Sequence, residues 1–111
     1  MEIIVFGKNI RPTKALKEFT EKKFIGALRS ISRTVDKVRV VLSKEKESRL
    51  AKAQCNVGHR SMSVQEGGSD IYDVVSTAAI QLNKVVSKEK GKKRAELRRS
   101  INSVNKKHPV D

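Results

Sequence analysis

The chain has 111 residues, within the usual size of a single domain, with 37% hydrophobic residues, 4% aromatics and no Trp. Such a lean aliphatic core suits long helices over a sheet and argues against a deep, aromatic-lined pocket. Lys and Arg number 25 against 12 acids, a net charge of +13, so the expected partner is a polyanion, either nucleic acid or an anionic membrane surface.

Ile3 to Phe6 is a short apolar run ending at Gly7 and reads as a buried strand. Asn9 to Pro12 breaks it, and Thr13 is a good N-cap because its hydroxyl can accept from a first-turn amide. Leu16, Phe19, Phe24, Ala27, Leu28 and Ile31 then follow a 3.6-residue period, predicting an amphipathic helix over 14–31. Alternation follows. Val38, Val40 and Leu42 share one face of a strand over 36–44, with Lys37, Arg39 and Val41 on the other. Lys44 to Arg49 suits a hairpin turn. A third strand over 50–57 turns Ala51, Ala53, Cys55 and Val57 inward and Lys52, Gln54 and Asn56 outward. Gly58 to Arg60 turns the chain, Met62 to Gln65 gives a short fourth strand, and Gly67-Gly68-Ser69 closes the sheet.

A long helix starts at about residue 70, capped by Ser69 or Asp70, with Asp70 or Asp73 complementing the positive end of its dipole. Its apolar stripe is Ile71, Val74, Val75, Ala78, Leu82, Val85 and Val86. Beyond Lys88 the stripe thins, and Gly91 weakens the helix by about 1 kcal/mol relative to Ala. Leu97, Ile101 and Val104 fit either an amphipathic continuation or a segment that orders on binding. The element order is β-α-β-β-β-α. It predicts an α+β fold with a four-stranded mixed sheet, the first two strands parallel and two helices packed on one face. Residues 1–91 form one domain on this reading. Residues 92–111 are a basic C-terminal tail, either a helix extension or a disordered segment.

The positive charge has a location. Residues 84–107 carry ten Lys/Arg against two acids, Glu89 and Glu96, a net of +8. Lys84, Lys88 and Lys92 recur every four residues and stack on one side of the helix, diverging from the core stripe. Such a ridge can follow a phosphate backbone and release counterions as it binds. The bland alternative is a solvated face, which would normally interleave Glu with the lysines. Lys90, Lys93, Arg94, Arg98 and Arg99 extend the basic character, as specific contacts or as general attraction. Lys17, Lys22, Lys23 and Arg29 on the first helix are a second candidate patch, with ion pairing to Glu18 and Glu21 as the alternative. Tyr72, the single Tyr, is expected to pack its ring against the sheet, with stacking on a base as the other option. Phosphate contacts carry little sequence information, so specificity would come from the shape of a folded RNA.

Catalysis has little support. His59 and His108 have no ligand-spaced Cys or His beside them, no nucleophile triad is suggested, and no phosphate-cradling G-x-x-x-x-G-K occurs. No enzyme activity, metal, cofactor or small-molecule substrate is expected. The single cysteine, Cys55, excludes an internal disulfide and reads as a buried structural thiol in a reducing cytoplasm. No apolar run reaches membrane-span length, and MEIIVFG resembles neither a signal peptide nor a transit peptide.

Several segments resemble the bacterial ribosome hibernation promoting factor and ribosome-associated inhibitor family, of the short, sigma-54 modulation protein type. The opening I-x-V-x-G-K-N with T-K-A-L-K-E-F spans Ile3 to Phe19. VVLSKEK at 40–46 is similar to the family's second strand and turn. Asp70-Ile71-Tyr72 with Val74-Val75, then Leu82-x-Lys84-x-Val86-x-Lys88, resemble its last helix. The resemblance covers roughly 1–92. It implies a double-stranded-RNA-binding-domain-like fold, binding to small-subunit ribosomal RNA in the messenger and transfer RNA channel, and blocked translation. It also implies a protein that is monomeric when free and lacks the dimerisation domain of long-form members. The alternative is a general RNA-binding or RNA-chaperone module not tied to the ribosome. This chain departs from the family at Gln81, where a basic residue is frequent, and at Ile4 and Phe6, which are unusually apolar for outward positions of the first strand.

Overall fold

The computed structural model describes the backbone of residues 1–101 and the side chains of residues 1–89. The expectations placed on Val104, Lys106, Lys107 and His108 fall outside the described residues.

The elements are β1 (Glu2–Lys8), α1 (Lys14–Leu28), β2 (Lys37–Glu45), β3 (Ser48–Val57), β4 (Arg60–Gly68) and α2 (Ile71–Ile101). The strands form one sheet in the order β1-β2-β3-β4. β1 runs parallel to β2, and the other neighbours are antiparallel. The β-α-β-β-β-α mixed sheet with both helices on one face is therefore present as the sequence predicts.

Because strand side chains alternate, register decides which residues become core. Val5, Val40, Ala53 and Val64 stand in one row across all four strands, and Ile3, Val38, Cys55 and Met62 in the next. These rows face the helices. Val38, Val40, Leu42, Ala51, Ala53, Cys55 and Val57 join Leu16, Phe24 and Leu28 of α1 and Val74, Val75, Ala78, Leu82 and Val86 of α2 in one buried cluster. α2 contacts β3 and β4, while α1 contacts β1 and α2. The small side chains of Ala51, Ala53 and Cys55 in the strand under α2 leave room for Leu82 and Val86, both fully buried.

Local chemistry sets the element ends. Thr13 Oγ1 accepts from the Leu16 amide at 3.1 Å, and Asp70 Oδ1 accepts from the Tyr72 amide at 2.9 Å. Asp70 is thus the cap of α2. Thr20, fully buried, donates its hydroxyl to the Leu16 carbonyl at 2.8 Å and so leaves no unpaired polar group in the core. At Gly7 a Cβ would overlap the Ile10 carbonyl oxygen and the Pro12 ring. The chain folds back on itself there between β1 and α1, and only glycine leaves the space.

Four sequence expectations change here. Ile3 to Phe6, expected as a buried strand, is only half-buried with Phe6 42% exposed, because β1 is an edge strand whose far face no described element covers. The helix predicted over 14–31 is α-helical only to Leu28, and a 3-10 turn over Arg29–Ile31 finishes it. The turn expected over Lys44 to Arg49 tightens to Lys46 and Glu47, with Lys46 at a left-handed φ of 55°. The fourth strand, expected over Met62–Gln65, runs from Arg60 to Gly68, because pairing with β3 continues out to Arg49↔Gly68 and holds even glycines extended.

Leu82 ties α2 to the sheet. Leu82→Ala is expected to cost about 2–5 kcal/mol through lost burial and a residual cavity, measured as a lowered midpoint in urea at unchanged slope.

Candidate nucleic-acid interface

Seating α2 on the sheet fixes its rotation. Val75, Ala78, Leu82, Val86 and Glu89 point to the core side, and Lys84 and Lys88 are exposed on the far side. Residues four apart on a helix are separated by about 6 Å along its axis, so the two ammonium groups form the start of a ridge. Lys92 continues the spacing on helical backbone. Lys90, Lys93, Arg94, Arg98 and Arg99 also lie on the helical backbone of α2, which continues past Gly91 to Ile101; their side chains are outside the described residues.

The acid within this run is turned away from solvent. Glu89 is 8% exposed and meets Arg60 Nε at 3.5 Å. Arg60, at the start of β4, keeps its own side chain 64% exposed. The carboxylate that would offset the lysine ridge is therefore held on the inner flank, already facing a guanidinium. What remains outward between Lys84 and Lys88 is positive. From the sequence Arg60 is only a turn residue, and no local signal connects it with a glutamate 29 positions away; the packing of α2 on β3 and β4 brings them together.

Lys17, Lys22 and Lys23 on α1, and Arg29 in the 3-10 turn after it, are all exposed. Among the described residues the Arg60–Glu89 pair is the only ion pair within 4 Å, so Glu18 and Glu21 hold none of these lysines. Lys22 and Lys23 line a groove of about 540 Å³ between the helices, with Phe19, Gly26 and Ala27 on one wall and Ser76, Ala79 and Ile80 on the other. Arg29 lies in the 3-10 turn that follows α1, exposed and outside the residues that line the groove. Lys17 lies more than a quarter turn around from Lys22 and Lys23 and away from the groove. The first-helix patch is thus divided: Lys22 and Lys23 line the groove shared with α2, and Lys17 lies away from it.

Two contacts lock the helices together. The Asn83 side-chain amide donates to the Ala27 carbonyl at 2.6 Å, satisfying an acceptor in the last turn of α1. Tyr72 meets Phe19 edge-on, with centroids 4.7 Å apart at 70°, and Lys23 Nζ sits 5.6 Å from the Phe19 ring. Tyr72 therefore packs on α1 and not, as expected, on the sheet. Two residues after the cap, in the first turn of α2, it reaches across the helix pair and stays 40% exposed.

No group of three His, Cys, Asp or Glu among the described residues could hold a metal. Cys55 is buried, and desolvation pushes its thiol above the ordinary value. No helix among the described residues is long and apolar enough to cross a membrane.

This mixed sheet with paired helices on one face has known counterparts. The family model described as "Sigma 54 modulation protein / S30EA ribosomal protein" matches residues 3–94, and the chain belongs to that family. It is 27% identical over 92 residues to a ribosome hibernation promoting factor of Salmonella typhimurium, and 28% identical to that of Escherichia coli K12. Each match covers 83% of this chain and 96% of the relative. Among solved structures, a ribosomal subunit interface protein from Coxiella burnetii shares the fold. Its TM-score is 0.76 at 22% identity, over 82% of this chain and 99% of that one. The N-terminal domain of Protein Y from Thermus thermophilus gives a TM-score of 0.67 at 26% identity, over 79% and 98% respectively.

Because the Asn83 amide fixes the helix pair, Asn83→Ala is expected to lower stability by about 1 kcal/mol. Denaturant melts of the two proteins at one pH measure the difference.

Proposed function

We propose that this protein is a ribosome-associated translation inhibitor. On this reading it binds small-subunit ribosomal RNA in the messenger and transfer RNA channel and blocks translation by occupying it. The observation that carries the reading is the outward face of α2, where Lys84 and Lys88 stand exposed while Glu89 is buried against Arg60. Membership of the S30EA family and relatives named ribosome hibernation promoting factors support the ribosome as the partner.

The mechanism is electrostatic and steric. The lysine ridge lies along phosphates and displaces condensed counterions, which gives affinity with little dependence on base identity. Lys22 and Lys23 engage a second strand of the same folded RNA across the inter-helix groove. A rigid helix pair of fixed spacing then selects a cleft by shape. Lys90, Lys92, Lys93, Arg94, Arg98 and Arg99 prolong the ridge. Lys17, on the far flank, and Arg29, in the 3-10 turn, add general attraction. No bond is made or broken, so the role requires no catalytic group, metal or cofactor.

Co-sedimentation with isolated small ribosomal subunits tests this. Saturable binding near one protein per subunit is expected, displaced by transfer RNA and weakened steeply by salt. Reversing Lys84, Lys88 and Lys92 to Glu is expected to abolish it without change in the far-ultraviolet spectrum. Equal affinity for unrelated duplex RNA would instead support a general RNA-binding module.

A further inference from the structure

The sheet face opposite the helices is uncovered among the described residues, and its composition is not that of an ordinary solvated surface. Alternation places Ile4 and Phe6 of β1, Val41 of β2 and Leu50 of β3 on it. Phe6 and Val41 are register partners, Ile4 lies two residues before Phe6, and Leu50 is diagonal to Val41. Together they make a continuous apolar strip across three strands, with Phe6 42% exposed. Apolar side chains scattered singly on a surface are unremarkable, but a contiguous group rimmed by polar residues marks a contact site.

The rim says what kind of contact. Arg39 lies opposite Ile4, Lys52 opposite Val41, and Lys8 two residues beyond Phe6. The Arg39 guanidinium is 5.6 Å from the centroid of the Phe6 ring. The acids of this face, Glu2 and Glu45, border the strip only at its two ends, Glu2 opposite Lys37 and Glu45 opposite Ser48. Across β3 and β4 the same face continues as Gln54, Asn56, Ser61, Ser63 and Gln65, uncharged groups that both donate and accept hydrogen bonds. A protein partner would find an aromatic ring already held by a guanidinium among three cations. An unpaired nucleotide would find a ring or a guanidinium plane to stack on, cations for its phosphates, and amides for its base edge.

We propose that this open sheet face is a second RNA-contact surface, which binds a single-stranded RNA segment by stacking an unpaired base on Phe6 and Arg39. The protein then carries two RNA surfaces on opposite sides of one sheet: a helix face for phosphates of folded RNA and a sheet face for an extruded or unpaired strand. The sheet-face contact does not depend on the ribosome being the target of the helix face.

The test uses the full chain carrying Lys84→Glu, Lys88→Glu and Lys92→Glu, which silences the helix ridge, with a short oligouridine or oligoadenosine as ligand. Fluorescence anisotropy of labelled RNA gives affinity, and NMR shifts give the location. The expected result is binding whose shifts fall on Ile4, Phe6, Arg39, Val41 and Leu50. Phe6→Leu, which keeps apolar area but removes the ring, is expected to weaken binding by about tenfold, while Phe6→Tyr retains it. Phe6 faces solvent, so neither variant disturbs the core, and NMR spectra of the variants verify the fold. Equal binding by Phe6→Leu and wild type at that site would overturn the proposal, as would shifts confined to the helices. Concentration-dependent self-association abolished by Phe6→Leu would overturn it too, by assigning the strip to a second copy of the chain.

Discussion

The cationic helix face of this molecule depends on how α2 is seated across β3 and β4. A helix carries residues in all directions, and only docking decides which become surface. Here the decision is made by size. Ala51, Ala53 and Cys55 give the strand beneath the helix a low profile, and Val75, Ala78, Leu82 and Val86 occupy the space above it. Each Val or Leu so buried contributes about 1.5–3 kcal/mol relative to exposure, far more than any single surface charge interaction. The apolar stripe therefore dictates the rotation, and the lysines follow. Rotating the helix enough to hide Lys84 and Lys88 would expose this stripe and bury unpaired ammonium groups.

The same seating sorts the charges. Glu89 falls on the inner flank of the helix and meets Arg60, so the acid that lies between basic residues in sequence is spatially withdrawn from them. A count of charges along the chain treats Glu89 as offsetting Lys88. The fold does not. Similarly, α1 is fixed to α2 by the Asn83–Ala27 hydrogen bond and by Phe19 against Tyr72. The distance between the two cationic elements is thus set by packing, and a binding surface with fixed spacing can discriminate by shape where flexible lysines could not.

Much of this was legible in the sequence because it is local. The alternation in β2 and β3 identified inward and outward residues correctly, including the outward Val41, and the periodicity of α1 and α2 identified their buried faces. Thr13 was legible as a cap from its hydroxyl alone, and Asp70 was one of two candidates. What was not legible is long-range. Residues 60–61 and 66–68 carry little strand preference, yet β4 extends through them because β3 offers a ladder to pair with. Tyr72 has no sequence neighbour that points it at Phe19, and the groove between the helices exists only once both are docked. The division of the α1 cations into Lys22 and Lys23 on the groove side and Lys17 on another follows from helical phase relative to a partner 56 residues on, as the Asn83–Ala27 bond shows.

The central claim is that the outward ridge of α2 lies along ribosomal RNA phosphates in the small subunit. A structure of the protein bound to that subunit tests it most directly. Lys84 and Lys88 are expected within charge-assisted hydrogen-bonding distance of phosphate oxygens in the messenger and transfer RNA channel. A bound complex in which this ridge faces solvent, or in which the protein sits outside the channel, would contradict it.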